Sequence, residues 1–434
     1  MAKELKISER GIMMPSSPIR KLAPLAYKAE DEGVKIYRMN IGQPDLPTPQ
    51  KALDALKEVD RKTLEYSPSQ GYRSLRKALV NYYERYQIKL SADDIIITCG
   101  GSEAVLFAFM SCLNPGDEII VPEPAYANYM SFAISAGAVI RTVTTTIEEG
   151  FCLPKVERFE ELINERTKAI LICNPNNPTG YLYAQKEMNQ IRDLVKKYNL
   201  YLFSDEVYRE FIYTGSPYIS AMHLEGIEQN VILIDSVSKR YSVCGIRIGA
   251  LITKNEAVRK TVMKFCQARL SPPLIGQIVA EASIEDTEAY SREVYEEYLE
   301  RRKTLIDGVN RIPGCYTPIP MGAFYTVAKL PVDDAEEFCA WCLSDFRYKD
   351  EETPLMKSSK VGACPEPVEG KPSGTQGLPV TGETIMMAPA AGFYTTPELG
   401  KNQVRLAYVL CKEDMQRALM ILQKAIVEYN SLKN

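Results

Sequence analysis

The stretch that decides the fold is Val231-Ile-Leu-Ile-Asp-Ser-Val-Ser-Lys-Arg-Tyr-Ser-Val-Cys-Gly-Ile-Arg-Ile-Gly249. Its first four residues are apolar and β-branched or aliphatic, which predicts a short buried strand. The strand ends in a polar segment that carries the hydroxyls of Ser236 and Ser238 and the primary amine of Lys239. A guanidinium follows at Arg247, between two glycines of the same run. The segment therefore combines an amine, two hydroxyls and an arginine directly after a strand.

These groups suit a ligand that carries both an aldehyde and a phosphate. A lysine amine forms a Schiff base with an aldehyde, and hydroxyls with a planar arginine fork can hold a phosphate. Pyridoxal 5'-phosphate (PLP) has both groups, so the run predicts a PLP anchor at Lys239. The alternative is a solvated lysine after a strand, with Arg247 in an ordinary ion pair.

Composition limits the class of protein. The 434 residues exceed one ordinary core, so we expect two domains; 45% are hydrophobic, 25% are charged and the net charge is −4. Neither nucleic acid nor membrane is expected as a partner, because the charge is mildly acidic and no apolar run reaches the roughly 20 residues of a membrane span. The start lacks an apolar signal core, and eleven cysteines are scattered, which favours reduced thiols in the cytoplasm.

Metal chemistry is not expected. The one histidine, His223, has no second histidine to pair with, so we interpret it as structural. Cys339 and Cys342 have the spacing of a zinc or redox pair, but they lie in a predicted amphipathic helix without a second pair of ligands. Proton transfer must then fall to lysine, tyrosine or carboxylates.

The order of elements predicts an α/β fold. Short apolar strands, predicted at 94–98, 117–121, 169–173, 200–203 and 231–234, alternate with amphipathic helices. This alternation is typical of a large domain with a mostly parallel sheet covered by helices on both faces. A long charged helix at 295–310 leads into a smaller α/β domain. We divide the chain into an arm at 1–46, a large domain at 47–295 and a small domain at 296–434. A Pro- and Gly-rich segment at about 348–381 is expected to be an inserted mobile loop, with a functional lid as the alternative.

Further candidate residues follow the strands, where open α/β sheets bind their ligands. Gly101 and Ser102 open a helix after the first predicted strand and suit a phosphate, although a plain turn and cap explain them as well. Asn177 lies in the rigid turn Asn174-Pro-Asn-Asn-Pro-Thr-Gly180, which is alternatively only structural. Asp205 and Tyr208 follow the fourth predicted strand. A strand-end carboxylate needs a cation, which is either a pyridinium nitrogen or a nearby arginine.

Aromatic residues and a late arginine complete the set. Tyr126 follows a strand and can stack on a flat ring, or else it is core. Tyr66 lies in an exposed-looking turn with no evident core role. Arg405 lies in a predicted strand of apolar residues, where a buried guanidinium needs an anion; a substrate carboxylate and an internal salt bridge are the two candidates.

Taken together, these blocks resemble the class I/II aminotransferases, the fold-type I PLP enzymes, and in particular the aspartate aminotransferase-like members. The resemblance covers nearly the whole chain apart from the predicted insertion, and it implies that the small domain is formed from both chain ends. It also implies an enzyme that moves an amino group from a small amino acid, aspartate first, to a 2-oxo acid such as 2-oxoglutarate. A PLP-dependent lyase and a transaminase for aromatic amino acids or alanine are the alternatives. A PLP-binding regulator is a distant one, because it would need a DNA-binding module and only about 45 residues precede the core.

The resemblance assigns a role to each candidate. Lys239 corresponds to the lysine that binds the cofactor, Asp205 to the partner of the pyridine nitrogen, and Tyr208 and Asn177 to the partners of the ring oxygen. The implied phosphate cup comprises Gly101, Ser102, Ser236, Ser238 and Arg247, with Tyr126 stacked on the ring. Gly42, Asn177 and Arg405 correspond to substrate-binding residues. Tyr66 corresponds to a tyrosine that reaches the phosphate of the neighbouring subunit, which implies a homodimer with shared active sites. No motif identifies a residue for a side-chain carboxylate; Arg20 and Arg209 are the candidates.

Overall fold

The structure is a computed structural model, and it describes residues 5–215, 217–285, 288–350 and 381–433. Within these ranges the strands are β1 (Val34–Arg38), β2 (Ile95–Thr98), β3 (Glu118–Glu123), β4 (Val139–Thr144), β5 (Thr167–Cys173), β6 (Tyr201–Asp205), β7 (Val231–Ser236), β8 (Gly249–Ile252), β9 (Tyr325–Lys329), β10 (Gly382–Met386), β11 (Ala388–Pro389) and β12 (Gln403–Ala407).

The helices of the same ranges surround these strands. They are α1 (Glu9–Met13), α2 (Ala23–Asp31), α3 (Gln50–Lys57), α4 (Arg73–Glu84), α5 (Gly100–Cys112), α6 (Asn128–Ala136), α7 (Val156–Glu160), α8 (Gln185–Tyr198), α9 (Glu256–Arg269), α10 (Leu274–Glu285), α11 (Glu288–Arg311), α12 (Ala335–Ser344) and α13 (Lys412–Lys433). No helix in the described part of the chain is long and apolar enough to cross a membrane.

The central sheet has seven strands in the order β2-β8-β7-β6-β5-β3-β4. The contiguous strands from β7 to β4 are parallel, whereas β8 runs antiparallel to both of its neighbours. The five strands predicted from apolar runs are present as β2, β3, β5, β6 and β7. The predicted α/β class with a mostly parallel sheet is therefore confirmed.

Helices cover both faces of this sheet, as its continuous apolar strands require. Successive side chains of a strand point to opposite faces, so neighbouring residues of β5 join different cores. Leu171 belongs to the core that contains Phe109 of α5, and Ile170 belongs to the core that contains Ile191 of α8. All four residues are fully buried or nearly so.

Two smaller sheets bring the chain ends together. β1, near the start, pairs in parallel with β10, so that Val34 lies opposite Gly382. β12 pairs antiparallel with β9 and with β11. The helices α12 and α13 pack against β10. The smaller α/β part built from both ends is thus present, as predicted.

Some details differ from the sequence expectations. The long charged helix begins at Glu288 rather than at 295, because the amphipathic pattern extends upstream. The apolar pattern also did not identify β4, which alternates exposed and half-buried residues at the edge of the sheet, or the four-residue strand β8. The predicted insertion at about 348–381 lies almost wholly outside the described residues, and the domain boundaries stay a prediction.

Candidate active site

A cavity of about 600 Å³ lies where the parallel strands end. The carboxyl ends of parallel strands meet at one edge of the sheet, so side chains distant in sequence converge there. Twelve of the thirteen predicted site residues line this cavity, namely Gly42, Gly101, Ser102, Tyr126, Asn177, Asp205, Tyr208, Ser236, Ser238, Lys239, Arg247 and Arg405. The thirteenth, Tyr66, is 77% exposed and lies outside the cavity of its own chain.

Lys239 reaches into the cavity from the segment that follows β7. Its Nζ donates a hydrogen bond to the carbonyl oxygen of Gly42 (2.8 Å) and lies 3.8 Å from Sγ of Cys244. Both partners are neutral acceptors, and Lys239 forms no ion pair with the described residues. Its amine is therefore held in place without a counter-ion.

Asp205 is the last residue of β6 and is buried. The hydroxyl of Tyr129 donates to its Oδ2 (2.6 Å), and the backbone N–H of Val207 donates to Oδ1 (3.3 Å). Burial raises the pKa of Asp205 to about 6, although these hydrogen bonds oppose the rise. No cation of the described chain pairs with this carboxylate.

The neighbouring strand offers a direct contrast. Asp235, near the end of β7, is as buried as Asp205, but Arg240 lies 2.6 Å from its Oδ2 and Arg209 lies 3.6 Å away. Burial raises the pKa of Asp235, but the two guanidinium groups outweigh it and hold that pKa below its ordinary value. The ordinary ion pair that was the alternative for Asp205 is therefore found at Asp235.

Arg405 lies on β12, its side chain lines the cavity, and it is 1% exposed. Its Nη1 donates to Oδ1 of Asn177 (3.1 Å), and Nη2 donates to the carbonyl oxygen of Asn40. Its Nε has no hydrogen-bond partner. Burial without a carboxylate lowers the pKa of this guanidinium. A buried cation that lines a cavity and has no carboxylate partner suits an anionic ligand.

Three hydroxyl and amide groups connect Arg405 with the lysine. Asn177 Nδ2 donates to the hydroxyl of Tyr208 (3.4 Å), which lies 3.0 Å from the hydroxyl of Tyr325. The Tyr325 hydroxyl donates in turn to the carbonyl oxygen of Gly42 (3.4 Å). A Cβ on Gly42 would lie 1.6 Å from that hydroxyl, so only glycine fits there.

The residues predicted to bind a phosphate also line the cavity. Gly101 and Ser102 lie in the first turn of α5, whose N–H groups lack intrahelical partners. The Ser236 hydroxyl donates to the Ser238 hydroxyl (2.8 Å). Arg247 is exposed, and its guanidinium contacts backbone carbonyls, including that of Cys244 (3.2 Å). Tyr126 lines the cavity as well and packs edge-on against the ring of Tyr129 (5.4 Å).

The structure also decides between the two arginines considered for a side-chain carboxylate. Arg209 does not bind a ligand in this cavity, because it is fully buried outside the cavity and is bound to Glu206 (3.0 Å). Arg20 is exposed and lines the cavity.

Among the cavity residues that were not predicted are two tyrosines, Tyr325 and Tyr129, whose hydroxyls contact predicted site residues. Tyr325 is the first residue of β9, and its only sequence signal is its position three residues after Gly322. Tyr129 lies three residues after Tyr126, which is one helical turn and would have suggested a shared face.

The residues interpreted as structural have structural contacts. His223 accepts a hydrogen bond at Nδ1 from the Ser220 backbone (3.2 Å), and its Nε2 lies 2.8 Å from the carbonyl oxygen of Tyr86. Cys339 and Cys342 are buried in the core on α12.

Comparison with known proteins identifies the family of the chain. Residues 34–348 match the family model described as aminotransferase class I and II. An aspartate aminotransferase of Pyrococcus horikoshii is 28% identical over 97% of both chains, and one of Thermotoga maritima is 31% identical over 76% of this chain and 86% of its own. The crystal structure of an alanine aminotransferase from Pyrococcus furiosus superposes with a TM-score of 0.83 at 28% identity, covering 98% of this chain and all of that one. The chain belongs to the class I and II aminotransferases.

Proposed function

We propose that this aminotransferase binds pyridoxal 5'-phosphate on Lys239 and moves the amino group of a small amino acid, aspartate first, to a 2-oxo acid such as 2-oxoglutarate. The observation that supports it is the set of charges in the cavity. Lys239, Asp205 and Arg405 all line it, and none forms an ion pair within the described chain. Charges buried without partners are costly, so the cavity is built for ligands that supply them.

The residues fit the proposed cofactor group by group. The Lys239 amine suits the aldehyde, and the carboxylate of Asp205 suits a protonated pyridine nitrogen. The hydroxyl of Tyr208, with the Asn177 amide next to it, suits the ring oxygen. The first turn of α5, the two serine hydroxyls and Arg247 suit the phosphate.

Each of these side chains has a separate role in the proposed reaction. Arg405 binds the α-carboxylate of the substrate as a bidentate fork and fixes the direction of the Cα–H bond. The amine of Lys239, once free, accepts the Cα proton and returns it on the cofactor side. When bound, the cofactor supplies an electron sink for the charge left on Cα. The carboxylate of Asp205 holds a proton on the ring nitrogen, which strengthens the withdrawal of negative charge from Cα.

We further propose a homodimer in which Tyr66 of each protomer completes the phosphate site of its partner. Its support is the 77% exposed hydroxyl-bearing ring on a surface turn. Aspartate as donor is supported by the aspartate aminotransferases among the relatives. The cytoplasm is the proposed location, supported by the free thiols of the ten described cysteines.

The test of the cofactor site is Lys239→Ala, with Lys28→Ala as a control that removes an exposed lysine of α2. After incubation with the cofactor and borohydride reduction, mass spectrometry should find the cofactor attached in wild type and in the control, and not in Lys239→Ala. Attachment that survives in Lys239→Ala would contradict the proposal. An assay with aspartate and no 2-oxo acid separates the lyase alternative, which would release ammonia.

A further inference from the structure

A second nucleophile lies beside the amine of Lys239. Cys244 lines the same cavity, and its Sγ accepts a hydrogen bond from Nζ of Lys239 (3.8 Å). The reaction proposed above gives this thiol no role. We propose that Cys244 is a site of oxidation by peroxide, at which the oxidised sulfur forms a covalent S–N bond with Lys239 and blocks the cofactor site. The bond follows from the contact of the two side chains, whereas its effect on the cofactor rests on the proposed function.

The loop between the two residues holds them together. The carbonyl oxygen of Ser238 accepts hydrogen bonds from the backbone N–H of Val243 (3.1 Å) and from the thiol of Cys244 (3.3 Å). Lys239 directly follows Ser238, so one carbonyl group fixes both ends of the loop. The lysine side chain has a flexible four-carbon stem, and its rotation can bring Nζ onto the sulfur.

The cavity contains a second cysteine in a different environment. Cys173 also lines it, but Cys173 is 3% exposed and burial raises its pKa well above the ordinary value. Such a thiol reacts slowly with peroxide, because the thiolate is the nucleophile. Cys244 is half-buried and has the ammonium group of Lys239 as a neighbour, and a nearby cation favours the thiolate. Of these two cysteines, Cys244 is therefore the one that peroxide oxidises first.

The bond forms in two balanced steps. In the first, the sulfur of Cys244 attacks one oxygen of hydrogen peroxide and the O–O bond breaks, which leaves a sulfenic acid and releases water. The sulfur is oxidised and the peroxide is reduced. In the second, the neutral amine of Lys239 attacks this sulfur, the S–O bond breaks, and the hydroxyl group leaves with an amine proton as water.

The first step also prepares the amine for the second. Burial lowers the pKa of Lys239, but neighbouring groups, led by Cys244, outweigh burial and raise it. Oxidation of the thiol to a neutral sulfenic acid removes the contribution of Cys244. Burial then favours the neutral amine, which gives its extra proton to solvent and becomes nucleophilic.

The S–N bond would inactivate the site reversibly. A lysine nitrogen that is bonded to sulfur cannot form a Schiff base, so Lys239 could not bind the aldehyde of the cofactor. Two molecules of a small thiol break the S–N bond, restore the thiol and the amine, and leave as a disulfide. Bound cofactor should protect, because it occupies the same amine.

The experiment treats the full-length protein with hydrogen peroxide, with and without bound pyridoxal 5'-phosphate. Wild type is compared with Cys244→Ser and with Cys411→Ser, which makes the same change at a half-buried cysteine outside the cavity. Trypsin cuts after Arg240, which lies between the two residues, so Lys239 and Cys244 end on separate peptides. In cofactor-free wild type and Cys411→Ser, mass spectrometry should find these peptides joined, with two hydrogen atoms fewer than their sum. In Cys244→Ser they should be separate.

Reversal and protection give further readouts. Dithiothreitol should separate the joined peptides and restore binding of pyridoxal 5'-phosphate, measured by absorbance. Protein loaded with the cofactor before oxidation should show little joining. The proposal is overturned if peroxide leaves the two peptides separate in cofactor-free wild type, if they are joined with an added oxygen atom, or if the oxidised protein still binds the cofactor. Joined peptides in a protein that never binds the cofactor, oxidised or not, would uphold the S–N bond and defeat the proposed function instead.

Discussion

Asp205 and Asp235 are buried aspartates at the ends of neighbouring strands, and the same substitution should have opposite effects on them. Burial raises the pKa of Asp205 from its ordinary 3.8 to about 6. At about 1.4 kcal/mol per pKa unit, this difference is worth about 3 kcal/mol. A raised pKa means that the folded state binds the proton more tightly than the unfolded state. The stabilisation that comes from the protonated Asp205 is therefore fully present below pH 4 and is lost as the pH rises through 6.

Asp205→Asn removes this titration while keeping an acceptor for the Tyr129 hydroxyl. The cofactor-free variant should gain up to about 3 kcal/mol over wild type at pH 8 and little or nothing at pH 4. With the cofactor the order should reverse, because the neutral amide no longer stabilises a protonated pyridine nitrogen. The variant should thus bind the cofactor more weakly and transaminate more slowly, even though its cofactor-free fold is more stable.

The assay is urea unfolding followed by tyrosine fluorescence at pH 4 and pH 8, with and without the cofactor. Asp235→Asn is the matched control: its carboxylate is paired with Arg240 and Arg209, so this variant should be less stable at pH 8 in both states. If Asp205→Asn destabilises the cofactor-free protein at pH 8 as Asp235→Asn does, Asp205 is a structural residue and the reasoning fails.

Two other predictions concern single contacts of the proposed site. Arg405→Lys should raise KM for amino acids roughly 10- to 100-fold in steady-state assays, because a lysine cannot bind a carboxylate through two parallel hydrogen bonds. The control is Arg301→Lys, which should leave KM unchanged, since Arg301 is 2% exposed and is bound to Asp45. Tyr66→Phe should weaken cofactor binding roughly 3- to 10-fold in absorbance titrations, since one hydrogen bond to the partner's phosphate is lost. Tyr27→Phe, at another exposed tyrosine, should not, and an unchanged affinity of Tyr66→Phe would count against a shared site.

Most of the central sheet could be predicted because its strands are buried on both faces. Continuous apolar runs such as 169–173 signal that burial directly. The edge strand β4 was not identified, since its outward residues are polar or exposed and dilute the pattern. The start of α11 was placed late because a charged amphipathic surface has no sharp boundary. Local sequence therefore predicts elements well where burial is complete and less well at edges and ends.

The cavity residues that follow strands were predicted for a related reason. A strand and the turn after it are adjacent in sequence, so Asp205, Lys239 and Asn177 are found by reading past each apolar run. Tyr325 was not, because it reaches the cavity from a separate sheet, and no local pattern records that approach. Arg209 was named as one of two candidates for the same reason. Its position three residues after Glu206 suits a helical-type ion pair as well as a ligand site, and only the fold shows which occurs.

The presence or absence of a counter-ion distinguishes the charged residues of the structural core from those of the proposed site. The sequence places an aspartate near the end of both β6 and β7, and only Asp205 was predicted to be a site residue. In the fold, Asp235 has two arginines and Asp205 has none, and the two residues differ in the direction of their pKa shifts. The same criterion distinguishes Arg405, which is buried without a carboxylate, from Arg209, which is bound to Glu206. A buried charge that the chain itself neutralises stabilises the fold, whereas a charge left without a partner beside a cavity keeps its binding free energy for a ligand. Lys239, Asp205 and Arg405 all line one cavity, and this shared position is what supports a common ligand site for the cofactor and substrate proposed above.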